Sequence, residues 1–82
     1  MNNNDEIVKK VLEEIAKQFP NGAYVEKAEV RPSNINNTEI MSELVGILEE
    51  LGVLINRESI SRNNILGDFD VEKAKEILNS WR

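Results

Sequence analysis

VLINRESISRNNILGDFD, residues 53–70, is the stretch whose reading decides the fold of this chain. Read as part of a helical protein, Val53-Leu54-Ile55 is a buried linker. Glu58 to Ser61 is then a single helical turn, with Ile60 as its apolar anchor. Ile65-Leu66 is a second anchor, and Gly67-Asp68 a turn. Read as strands, the same residues would join a sheet around Ala23, Val53 and Ile65. The apolar run at Val53–Ile55 is too short for periodicity to separate the two. Strand or loop therefore stays open over 53–57, while a single helical turn at 58–61 and a turn at Gly67-Asp68 fit the residues that follow.

Just upstream, Asn36 to Val53 reads NNTEIMSELVGILEELGV. Ile40, Met41, Leu44, Val45, Leu48 and Leu51 recur at helical spacing, and Ile47 widens the stripe. Asn36, Asn37 or Thr38 can cap the first turn, and Glu39 stands three residues after Asn36, as in a capping box. Gly52 supplies the left-handed residue that ends the helix, which is expected over about 37–51. Gly46, in mid-helix, costs about 1 kcal/mol relative to alanine. A neighbouring helix passing close to the backbone would explain it. The outward side holds Glu39, Ser42, Glu43, Gly46, Glu49 and Glu50, and no Lys or Arg occurs between Arg31 and Arg57. Such a face is either solvated surface or a recognition surface that steers a basic protein. Glu49 and Glu50 near the helix C-terminus oppose the macrodipole, a local conflict that favours recognition.

A first helix is expected over about 5–19. Ile7, Val8, Val11, Leu12, Ile15 and Phe19 form its stripe, Asn4 its cap, and Pro20-Asn21-Gly22 its stop. Residues 1–4 are expected to fray. Ala23 to Asn37 reads as a long stretch outside the main helices: strand or loop stays open over 23–31, with some strand character at Ala23–Val25 and room for a helical turn over Glu26–Val30. Tyr24, Val25, Val30 and Ile35 are the expected points of attachment to the core. Arg31 precedes Pro32 and is pushed out of the helical region. The last helix, about 70–81, starts at an Asp70 cap and buries Val71, Ala74, Ile77 and Leu78, with Trp81 as a lid.

Eighty-two residues make one small domain, 1–82. There is no cysteine and no histidine, which removes disulfides, thiolate metal sites and the commonest general base. Glu13-Glu14 and Glu49-Glu50 are adjacent on helices and diverge, so neither pair converges on a substrate. The glycines are dispersed and form no phosphate loop. An enzyme is therefore not expected. A net charge of −5, with the bases spread along the chain, disfavours nucleic acid. No membrane span or signal peptide is visible, and a cytoplasmic protein is expected.

From Ser42 onward the chain resembles the acyl carrier proteins. Glu43-Leu44-Val45, Leu48-Glu49-Glu50, Gly52-Val53 and Ile55 are similar to the acidic second helix of that family and the loop after it. The resemblance implies an all-α fold, a small three- or four-helix bundle with a long first loop. It also implies phosphopantetheine on a serine in an Asp-Ser-Leu motif. That motif is absent: Asn36-Asn37-Thr38-Glu39 stands there, and Thr38 is nearest to the serine position. No cofactor is expected from the residues themselves, and the resemblance leaves Thr38 as the position that would carry phosphopantetheine. Glu39, Glu43, Glu49 and Glu50 remain as the surface for a basic partner protein.

Two further readings stand beside it. Leu48 to Ile55 also resembles the end of a recognition helix running into the wing strand of a winged helix–turn–helix domain, which would bind protein or DNA. Against DNA, the recognition helix would carry no Arg, Lys or Gln to reach base edges. The other is a small helical interaction or immunity protein.

Overall fold

The structure is a computed structural model and describes residues 3–81. The elements follow in the order α1 (Asn3–Gln18), β1 (Tyr24–Val30), α2 (Thr38–Glu50), β2 (Leu54–Ile60), β3 (Ile65–Asp70) and α3 (Val71–Ser80). The strands form an antiparallel sheet in the order β1-β3-β2. The fold is therefore α+β, and the all-α, acyl-carrier-like helical bundle expected from the sequence is not formed. Met1 and Asn2, from the stretch expected to fray, lie outside the described residues, as does the side chain of Asn4, the expected cap.

The correction lies in residues 53–70. Where a helical turn was expected over 58–61, Glu58 to Ile60 complete β2, and Ser61 opens the hairpin turn. Gly67-Asp68 is not a turn but the middle of the central strand. In β3, Ile65, Gly67 and Phe69 face the core in strict alternation with Leu66, Asp68 and Asp70. That is the period of a strand with one buried face. Tyr24 to Val30, open between strand and loop in the sequence, is the other edge strand. Its Tyr24 pairs with Asp70 and its Val30 with Ile65.

Both edge strands are bulged, which explains why neither shows clean alternation. β1 slips register between Val25 and Ala28, and Lys27 there has φ of 50°. β2 slips between Leu54 and Asn56 and again between Arg57 and Ser59. Each bulge adds an unpaired residue and re-aims the side chains beyond it. Asp68 on the central strand braces both edges. Its Oδ1 accepts from the Lys27 backbone N–H at 2.9 Å, and its Oδ2 from Asn56 Nδ2 at 2.8 Å. Gly67 is required beside them, since a Cβ at that position would lie 2.3 Å from the Asn56 carbonyl oxygen.

One core lies between the sheet and the helices. Ala28, Val30, Leu54, Ile65 and Phe69 supply the sheet side. Val8, Val11, Leu12 and Ile15 come from α1, Met41, Leu44, Val45 and Leu48 from α2, and Val71, Ala74 and Leu78 from α3. Phe69 is fully buried at the centre, worth about 1.5–3 kcal/mol in transfer from water. Of the expected loop anchors, Val30 and Ile35 are buried, whereas Tyr24 is exposed on the outer side of the sheet. Trp81 is exposed as well and caps the end of α3 instead of sealing the core. α3 begins without a linker. Asp70 ends β3 and also caps α3, its carboxylate accepting from the Lys73 N–H at 2.9 Å.

Candidate functional site

The helix expected to carry the recognition surface is held rigidly at both ends. At its start, Asn37 Oδ1 accepts from the Ile40 N–H at 3.0 Å, as an N-cap does. The Asn37 N–H donates in turn to the Arg62 carbonyl at 3.0 Å, which fastens the first turn of α2 to the β2–β3 turn. At its end, the Gly52 N–H donates to Glu49 and the Val53 N–H to Leu48, at 3.1 and 2.9 Å. With Gly52 at φ of 78°, this is a Schellman termination. A further tie comes from Arg57 on β2, whose Nη2 lies 2.7 Å from Glu49 Oε1.

Met41, Leu44, Val45 and Leu48 point inward, so Thr38, Glu39, Ser42, Glu43, Glu49 and Glu50 are left in solvent on one side of α2. The structure thus brings the four expected acidic residues onto one exposed face. They are not equivalent. Glu49 is engaged by Arg57, and the hydrogen bond raises the guanidinium further into its charged range. Arg57 supplies from the sheet the cation that the last turn of α2 lacks, and so offsets the unfavourable placement of acid at a helix C-terminus. Glu39, Glu43 and Glu50 form the remainder of the face. Gly46 lies among them, and a Cβ there would meet nothing within 4 Å. Among the described residues no neighbouring helix passes over it, contrary to the packing explanation expected from the sequence.

Thr38, the residue nearest to the expected attachment serine, is exposed on the first turn, directly after the Asn37 cap. Ser33 lies apart in the 31–37 loop. Its backbone N–H and its hydroxyl both donate to the Glu14 carboxylate of α1, which pins the loop to that helix.

Beside the acidic face runs an apolar seam that the sequence reading missed. Ile40, assigned to the buried stripe, is 43 % exposed. Together with Ile7 and Val11 of α1 and Ile35 of the loop it lines an open cleft of about 370 Å³. The seam continues between the two helices to Ile47 and Glu43. A signal for it was present in the sequence. Seven apolar residues between Ile40 and Leu51 make a stripe wider than one core contact needs, and Ile40 and Ile47 share its outer flank.

The outer side of the sheet is acidic too. The Tyr24 phenol ionises above its ordinary range, through partial desolvation and then through Asp68, Glu26 and Asp70. Asp68 is held below the usual carboxylate range, first by the Asn56 amide and then by the Lys27 N–H. These bonds brace the bulges of both edge strands. Among the described residues, no group of three or more carboxylates is placed to hold a metal ion, and no helix is long and apolar enough to cross a membrane. Comparison with protein-family models, with curated proteins and with solved structures finds no match to this chain.

Proposed function

We propose that this domain is a non-enzymatic protein-interaction module that docks the acidic face of α2 on a basic surface of a partner protein. One observation carries the reading. Glu39, Glu43 and Glu50 stand exposed on a helix fixed at both ends, and the base that reaches this helix, Arg57, is occupied by Glu49. A rigid face of one charge sign speeds encounter with an oppositely charged partner and disfavours like-charged ones. The pinned ends mean that little backbone freedom is lost on docking.

The placement of α2 before the β2–β3 hairpin suits a winged-helix arrangement, with the hairpin as its wing. A helix–turn–helix pair needs a second helix joined to the first by a short turn. Here α2 is preceded by the 31–37 loop and β1. With acid in place of Arg, Lys or Gln on the exposed helix, protein is favoured over DNA as the partner. The proposal gives Thr38 no prosthetic arm to carry.

Affinity capture with the wild type, followed by reconstitution with the purified partner, tests the reading. The complex is expected to weaken steeply with rising salt. Reversal of Glu39, Glu43 and Glu50 to Lys is expected to abolish binding while thermal unfolding stays cooperative. Undiminished binding by that variant would reduce the face to solvated surface.

A further inference from the structure

We infer that the cleft between α1, the 31–37 loop and α2 is the anchor pocket for a basic amphipathic helix of the partner, seating one of its large apolar side chains. This deepens the reading above and rests on it. Ile7, Val11, Ile35 and Ile40 give the cleft its apolar wall, with Ser33 and Asn34 on the loop side, and its volume of about 370 Å³ suits one such side chain. The seam prolongs it along two helices to Ile47. Ile40 and Ile47 are two turns apart on α2, a separation of roughly 10 Å. An incoming helix presents apolar side chains at that same repeat, which is how a helix lies in a groove.

Charge decides what kind of helix. Glu6 stands on the α1 rim of the cleft, and Glu43 lines the seam on the α2 side. Glu39 is exposed next to Ile40, and Glu50 is exposed one turn beyond Ile47. Lys10 is on the α1 rim as well and balances Glu6 one turn away, so the excess negative charge beside the cleft comes from Glu39 and Glu43 of α2. A helix with leucine, isoleucine or phenylalanine along one stripe and Lys or Arg on both flanks therefore fits. An acidic or purely polar segment does not.

The test uses two synthetic helical peptides of equal length and equal Lys content. One carries a leucine stripe, and in the other every leucine is serine. Binding to the full chain is measured by calorimetry at low and at physiological salt. The wild type is expected to bind the leucine peptide at least roughly tenfold more tightly than the serine peptide, the worth of taking one such side chain out of water. Ile40→Ser, at a half-exposed position, is expected to erase that preference while keeping the low-salt binding of the serine peptide. Amide shifts on binding should centre on Ile7, Val11, Ile35 and Ile40. Equal binding of both peptides by the wild type would overturn the anchor pocket and leave the acidic face standing. A preference that survives Ile40→Ser, with shifts elsewhere, would also overturn it. Failure of both peptides at low salt would sink the acidic-face reading along with it.

Discussion

Glu49 Oε1 and Arg57 Nη2 lie 2.7 Å apart, and the pair fastens the last turn of α2 to the edge strand β2. Both side chains are more than a third exposed, so water and salt screen the contact. Arg57→Ala is expected to lower the melting temperature slightly, with the difference shrinking as salt is added. It also releases Glu49 to the acidic face. The same variant should therefore bind a basic peptide more tightly than the wild type at low salt. Thermal melts and calorimetric titrations over a salt series measure the two opposite effects.

Gly46 and Gly67 should respond in opposite directions to the same substitution. At Gly46 a methyl group enters open space on a helix, so Gly46→Ala is expected to stabilise by about 1 kcal/mol. In a domain of this size that raises the melting temperature by roughly 4–8 °C. At Gly67 the methyl group would sit 2.3 Å from the Asn56 carbonyl oxygen. That is backbone and cannot rotate away, so Gly67→Ala is expected to cost roughly 3 kcal/mol or more. Chemical denaturation of the two variants reads both signs.

Asp68 ties the bulges of both edge strands to its charged form. Its carboxyl is held below the usual range, by the Asn56 amide first and the Lys27 N–H second. A carboxyl depressed in the folded state adds stability above its unfolded value, about 3.9. That stability is lost as the pH falls through the folded value. Wild-type stability is therefore expected to decline on acidification below about pH 4 more steeply than that of Asp68→Asn. Between neutral and mildly acidic pH the two curves should run parallel. Urea midpoints across the acid range check it. Equal acid slopes would show that the carboxylate adds nothing to folding.

The helices were legible in the sequence because each obeys one period and carries its own punctuation. α2 was expected over about 37–51 and is found at Thr38–Glu50, with Asn37 and Gly52 doing the capping. α3 starts after the expected Asp70 cap. The sheet was not legible, for three separate physical reasons. In β1 the bulge at Glu26-Lys27 breaks the alternation after two residues. In β2 an edge strand with two register slips leaves Ile55, Asn56, Arg57, Glu58 and Ser59 all exposed. In β3 the alternation is intact, but its middle inward residue is Gly67, which reads as a turn because nothing local reveals the carbonyl above it. The candidate surface divides in the same way. The acids of α2 follow from its helical wheel. The apolar seam depends on where α1 and the 31–37 loop come to rest against Ile40, and that is tertiary information.

The central position of β3 has a consequence for the order in which the chain can fold. β1 and β2 share no hydrogen bonds with each other, and both wait for Ile65–Asp70. As the chain leaves the ribosome, most of it is made before its sheet has any place to form. Tyr24 must then close on Asp70 across the whole of α2 and the β2–β3 hairpin, a non-local closure of the kind that slows folding. Until Ile65–Asp70 is synthesised, the amphipathic helices α1 and α2 have no sheet to cover their apolar stripes. A chain stopped short of residue 70 has no sheet to cover those stripes, and aggregation or chaperone capture is its expected fate.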